Sequence, residues 1–217
     1  MRELGLRADV IRTAQDMSAR GLTPVRSGNV SVRSEENETA FLITPTGVPY
    51  DDLAPSDIVC LDLDGNAEPD QLVPSSEWHM HAAIYRDRPE AKAIVHTHSL
   101  FATTLACTQR GIPPFHYMIA ILGGDNIRCA EYATFGTPEL ALEVVKAIKD
   151  RKACLIANHG QIVFGNSAGN ALNLAEETET LAKQYWHVLQ IGGPQLLDSE
   201  RMADVHKQFE GYGQQAK

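Results

Sequence analysis

Apolar and polar positions along this 217-residue chain switch between a period near 3.6 and a period of two. A helix-period stretch covers about 6–20 and ends at Gly21. Three short strand-like runs follow near 29–33, 40–44 and 57–61. A connection rich in Gly, Asp and Pro leads to a helix starting at Ser75. The breaker Arg88-Pro89-Glu90 then precedes an apolar, partly β-branched run at 92–97, which reads as a short buried strand. Ser99 reads as the N-cap of a helix to about 108. Past Pro113-Pro114 the pattern predicts a strand near 127–130. Next comes a helix in which Thr137 caps, Pro138 is the first residue and Glu139 favours the positive end. Strands near 153–157 and 161–165 and helices over 168–191 and 199–209 complete the chain. Strands and helices intermix without regular βαβ alternation. This predicts a mixed sheet with helices on both faces, in one domain spanning 1–217.

Composition narrows the function classes. At 43% hydrophobic and 22% charged, the chain suits a single globular α/β domain. No apolar stretch approaches the roughly 18 residues of a membrane span, and the first residues read as an amphipathic helix start, not a signal peptide. The four cysteines form no CxxC pair, which points to a reducing cytoplasm. A net charge of -9 without a basic patch argues against a nucleic-acid partner. An anionic substrate is therefore expected to meet a pocket of neutral donors.

Candidate chemistry concentrates in Val95-His96-Thr97-His98-Ser99. On a strand, His96 and His98 point to one face, whereas on a helix they would lie about 200° apart. His159 is the expected third ligand. It stands in Asn158-His159-Gly160, a tight break between two strand-like runs. Three imidazoles with an open fourth position suit a catalytic divalent metal, whereas structural sites are closed and usually carry Cys. A single histidine is more often just hydrogen-bonded, and the chain has 8 of them. A competing pair, His79 and His81, diverges on its helix, although Glu77 and His81 share a face at i,i+4 and leave a Glu/His site open there.

Three short polar loops are candidate anion sites: Ser27-Gly28-Asn29, Thr44-Pro45-Thr46-Gly47 and Ser75-Ser76-Glu77. Ser75 and Ser76 are expected to place hydroxyls and unpaired N–H groups at a helix N-terminus. Gly28 and Gly47 let backbone N–H groups approach a phosphate. No GxGxxG or Walker pattern occurs, so a nucleotide fold is not indicated.

Gly28-Asn29-Val30-Ser31-Val32-Arg33, Thr44-Pro45-Thr46-Gly47, Ser75-Ser76-Glu77, His96-Thr97-His98 and Asn158-His159-Gly160 together resemble, in order and spacing, the class II aldolase/adducin family. The chain looks most like the bacterial L-fuculose-1-phosphate aldolase branch, over about 6–213. Phe115-His116-Tyr117-Met118-Ile119 and Tyr132-Ala133-Thr134-Phe135-Gly136-Thr137 add to the likeness. The resemblance implies a three-layer αβα sandwich around a mixed, largely antiparallel sheet. It implies zinc on His96, His98 and His159, although three imidazoles also accept Co(II), Mn(II) or Fe(II). By matching position, Gly28, Asn29, Thr46, Gly47, Ser75 and Ser76 would bind a substrate phosphate. Glu77 would be the acid/base beside the metal, and Tyr117 a proton donor reaching a neighbouring subunit. Tyr212, in a C-terminal tail over about 210–217, would close over the substrate. The implied activity is reversible cleavage of a phosphorylated sugar, a ketose 1-phosphate, into dihydroxyacetone phosphate and an aldehyde. It needs no lysine Schiff base, since a metal can take the developing charge. The implied assembly is a homotetramer with sites at subunit interfaces.

The chain also departs from the pattern. Asn158 stands where fuculose enzymes often carry a second histidine. Ile121-Leu122 replaces smaller residues, and an aldehyde side lined by them would be more apolar than lactaldehyde needs. A 5-deoxy- or 5-methylthio-pentulose 1-phosphate is then the expected substrate. Pentulose-phosphate 4-epimerases share the fold and triad but typically carry Asp where Glu77 stands. Methylthioribulose-1-phosphate dehydratases and adducin-like interaction domains, the latter without metal ligands, are the remaining relatives.

Overall fold

The computed structural model describes residues 2–210. Seven strands form one sheet: β1 (Asn29–Arg33), β2 (Ala40–Ile43), β3 (Val59–Asp62), β4 (Ala93–Thr97), β5 (Arg128–Ala130), β6 (Ala153–Ile156) and β7 (Gly160–Gly165). Their order is β3-β2-β1-β4-β7-β6-β5. Every neighbouring pair is antiparallel except β5 with β6. The expected mixed, largely antiparallel sheet is what forms.

Alternation along the strands divides the core into two layers. Val30, Val32, Val95, Leu155 and Val163 face helices α1 (Leu4–Ala19), α3 (Leu100–Ala106) and α5 (Ala168–Gln190). Phe41, Ile43, Ile94, Ile156, Ile162 and Phe164 face α2 (Trp78–Asp87) and α4 (Pro138–Ile148). Strands β2, β4, β6 and β7 bury both faces, which explains why they read as continuous apolar runs, whereas β3 at one edge buries only alternate residues. The sandwich has three layers, and α6 (Ser199–Phe209) closes the described chain.

The caps show where local chemistry set the boundaries. Thr137 accepts the Leu140 N–H at the start of α4, as expected, with Pro138 following. Ser99 does precede α3, but its hydroxyl accepts from Gln161 Nε2 at 2.8 Å instead of capping the helix. Glu179 on α5 takes over, accepting the Phe101 and Ala102 N–H groups at 2.8 Å each. The helix expected from Ser75 begins only at Trp78. The Ser75 N–H bonds Thr44 O and the Ser75 carbonyl accepts from Trp78 N, so a turn precedes the helix. A 3-10 segment, Tyr117–Leu122, occupies a stretch expected to be loop.

Candidate metal centre

His96 is the penultimate residue of β4, hydrogen-bonded between β1 and β7, with Asn29 and Ile162 opposite it. His98 follows one residue beyond the strand. His159 sits in the turn from β6 to β7, where its N–H bonds Ile156 O at 3.0 Å. Asn158 adopts a left-handed conformation (φ 55) that lets the chain reverse there. Glu77 is the residue just before α2. Sheet, turn and helix start thus bring four side chains from distant positions to one point.

One donor atom from each of Glu77, His96, His98 and His159 lies within 4.8 Å of all the others. His96 Nε2 is 3.0 Å from His98 Nε2 and 3.2 Å from Glu77 Oε2, and His159 Nε2 is 2.9 Å from Glu77 Oε1. The three imidazole rings meet edge to face, at interplanar angles of 76–84°. His96 Nδ1 donates to Gln161 O at 2.8 Å, which turns Nε2 into the cluster; burial lowers the pKa of this ring, but Glu77 outweighs burial and raises it, so a cation at Nε2 would take the place of a proton. Tetrahedral ligands about 2.0–2.1 Å from a cation stand roughly 3.3 Å apart, so the side chains fit a divalent ion. Glu77 Oε1 is buried against His159 Nε2, and a cation beside them would satisfy both.

The electrostatics agree with a ligand set. Burial alone would raise the Glu77 carboxyl, but His96 and His159 outweigh it and hold the group well below the carboxylate range. Burial, helped by His96 and His159, pushes His98 down to about 3, so its ring is neutral and free to coordinate.

A cleft of about 650 Å³ opens over this cluster. Gly28, Asn29, Thr46, Gly47, Ser75, Ser76, Glu77, His98 and His159 all line it, with His96 buried behind. The three polar loops therefore meet beside the histidines. Gly28 has a second reason to be glycine: a Cβ there would stand 2.7 Å from His96 O and 2.9 Å from Met17 Cε. The Thr46 and Ser75 N–H groups are already spent on Val73 O and Thr44 O, so these residues offer an anion their hydroxyls. The expectation of unpaired N–H groups at Ser75 is corrected accordingly.

Other expectations need correction too. The pocket is not built of neutral donors alone, because Arg26 lines it, with Nη1 3.4 Å from Gly47 O. Arg26 directly precedes Ser27-Gly28-Asn29, and that adjacency was the available signal. Leu122 is buried in the core and Ile121 packs against it, and neither lines the cleft of its own chain. Neither residue therefore makes the cleft of its own chain more apolar. Glu77 and His81 form no site of their own, since Asn29 lies between them and bonds both. His79 turns away and stacks on Trp78. Tyr117 is half exposed, lies against Phe209 and is absent from the cleft lining. Tyr212 and the tail from Gly211 lie outside the described residues.

Residues 8–186 match the family described as Class II Aldolase and Adducin N-terminal domain. The chain belongs to the class II aldolase and adducin family. Among its relatives in that family, a 5-methylthioribulose-1-phosphate/5-deoxyribulose-1-phosphate aldolase of Rhodospirillum rubrum is 44% identical, over 99% of this chain and 95% of its own length. An L-fuculose phosphate aldolase of Escherichia coli is 45% identical, over 96% and 95%. A solved L-fuculose 1-phosphate aldolase superposes with a TM-score of 0.90 at 38% identity, covering 95% of this chain and 96% of its own. With that family in hand, the Glu77–His cluster is the place to look for its chemistry.

Proposed function

We propose that this protein is a zinc-dependent aldolase that reversibly cleaves a ketose 1-phosphate into dihydroxyacetone phosphate and an aldehyde. The observation that carries the reading is the convergence of Glu77, His96, His98 and His159 beneath a cleft lined by three phosphate-sized polar loops. His96, His98 and His159 would hold the cation, which supplies Lewis-acid polarisation of a carbonyl and its neighbouring hydroxyl. The phosphate is bound by Gly28, Asn29, Thr46, Gly47, Ser75 and Ser76, which fixes the ketose C3 over Glu77. On cleavage of the C3–C4 bond, Glu77 returns a proton to C3, and in the reverse direction its carboxylate removes one. Cleavage also takes the proton from the C4 hydroxyl, whose oxygen becomes that of the aldehyde, and condensation returns one to it; Tyr117 from a neighbouring subunit exchanges that proton, with Tyr212 closing over the substrate. The exposure of Tyr117 outside its own cleft supports a homotetramer with shared sites. A cytoplasmic location fits the four unpaired cysteines.

The two classes of named relatives, on L-fuculose 1-phosphate and on 5-deoxy- or 5-methylthio-ribulose 1-phosphate, are nearly equal in identity. A panel of these ketose 1-phosphates therefore decides the substrate. Dihydroxyacetone phosphate release, coupled to NADH oxidation, should vanish with chelator and in His96→Ala. Turnover without dihydroxyacetone phosphate would point instead to epimerisation or dehydration. Metal analysis of the purified protein and light scattering test the zinc and the tetramer.

A further inference from the structure

Four buried side chains interlock behind Glu77, drawn alternately from β1 and α2: Asn29, His81, Ser31 and Tyr85. Glu77, His81 and Tyr85 follow one another at i,i+4 along one side of the helix, and Asn29 and Ser31 share one face of the strand. Asn29 Nδ2 donates to Glu77 Oε2 at 2.8 Å, and Asn29 Oδ1 meets His81 Nε2 at 2.6 Å. His81 Nδ1 meets Ser31 Oγ at 2.7 Å, and Ser31 Oγ meets Tyr85 Oη at 2.8 Å. His81 and Ser31 are completely buried.

The direction of each hydrogen bond follows from one end. A carboxylate only accepts, so the Asn29 amide must turn its nitrogen toward Glu77 and its oxygen toward His81. That oxygen also only accepts, so His81 Nε2 carries the hydrogen. The neutral ring then accepts at Nδ1 from the Ser31 hydroxyl, which accepts in turn from Tyr85. No member has a choice of orientation while the others are in place. The amide cannot flip without setting an oxygen against a carboxylate and an N–H against an N–H.

We infer that His81 is a positioning residue, which locks the Asn29 amide and through it holds the Glu77 carboxylate at the metal centre. The Asn29 nitrogen has two hydrogens, one spent on Glu77 and the other left for an anion in the cleft. One amide therefore ties the carboxylate to the phosphate loop. The chain does not move protons, because an amide link does not relay them. It sets geometry. The inference rests on the proposed aldolase reading only for its kinetic arm.

The first arm needs no turnover. Nitrogen-15 NMR of the metal-loaded protein should show His81 as the neutral Nε2–H tautomer, and an Nδ1–H tautomer or imidazolium would overturn the inference. The second arm is visible spectroscopy of the Co(II)-loaded protein. His81→Leu should change the ligand-field bands with Co(II) stoichiometry intact, and an unchanged spectrum would contradict a hold on Glu77. In the third arm, His81→Leu lowers kcat by about 10- to 100-fold, the scale of one hydrogen bond to a charged group. His81→Gln, whose amide N–H can reach Asn29 Oδ1, recovers most of that loss. Equal losses in both variants would leave only a packing role and refute the positioning one. If His81→Leu fails to fold, Ser31→Ala serves in its place. It leaves Nε2–H held by Asn29 Oδ1 but takes the donor from Nδ1, so the Nδ1 signal should move with the tautomer unchanged and kcat should fall, and an Nδ1–H tautomer would overturn the inference. Absence of turnover by the wild type, with the tautomer as expected, would sink the aldolase reading and spare the positioning role of His81.

Discussion

Replacing Gly160 with alanine would press on the metal centre without touching any ligand. A Cβ at Gly160 would stand 2.4 Å from Thr97 O and 3.0 Å from His98 Cδ2, where ordinary contact begins at 3.4 Å. The first neighbour is backbone of β4 between two of the histidines, so about 1 Å of strand movement must relieve the clash. Overpacking of this kind costs about 1–3 kcal/mol. For a chain of this size that lowers Tm by about 2–12 °C. Metal sites tolerate errors of only about 0.2 Å, so an ångström-scale shift between His96 and His98 should weaken divalent-metal affinity by at least about tenfold. Calorimetry of the metal-free protein reads the first effect, and competition with a chromophoric chelator reads the second. Gly169→Ala is the control, since no atom lies within 4 Å of its Cβ position and it falls in the first turn of α5. A Gly160→Ala protein with Tm within about 1 °C of wild type and unaltered metal affinity would refute the reasoning, because a clash that size cannot be absorbed silently.

Arg26→Ala should raise KM for a ketose 1-phosphate by about 5- to 30-fold with kcat little changed, as expected for about 1–2 kcal/mol between a guanidinium and a phosphate dianion near water. The difference from wild type should shrink as salt rises, and an unphosphorylated ketose should not sense the change; a salt-independent loss would refute the charge argument. Glu77→Gln should keep its metal and lower kcat by about 10²–10⁴, the usual range for a lost general acid/base, which single-turnover kinetics with metal analysis will check. Tyr50 is held up to about 12 by burial, and its hydroxyl donates to Gly28 O at 2.6 Å. Its folded pKa exceeds the unfolded value of 10.0, so its contribution is whole below pH 10 and drains away as pH climbs towards 12. Tyr50→Phe should therefore flatten the alkaline fall in stability between those pH values, and identical slopes by denaturant titration would disprove it.

Much of the candidate cluster was legible because strand geometry has so short a period. His96 and His98 need only the alternation of one strand to converge, and His159 needs only a two-strand turn. Glu77 reached its place from the family pattern, not from spacing, since nothing local says that α2 starts against the end of β4. The same blindness to long-range pairing hid the insertion of β4 between β1 and β7, which are separated from it by many residues. Ser75 looked like a helix start because hydroxyls cap helices, but pairing with Thr44 drew its backbone into a turn. Tyr117–Leu122 reads as neither period over six residues, so its 3-10 winding left no trace. His81 escaped notice as anything but a rival ligand, because its partners Asn29 and Ser31 lie on a strand some fifty residues earlier.

The place of β4 in the sheet bears on how this protein would fail. Three strands flank it on each side, and the strands at the margins, β3 and β5, are among the shortest. Local opening starts where backbone amides lack neighbours and spreads inward only as whole cooperative units come apart. Amide hydrogens of β4 should thus exchange with solvent only in global unfolding, while those of β5 exchange by fraying. The histidine-bearing strand is then among the last parts of the molecule to let go, and heat should take catalysis and fold together.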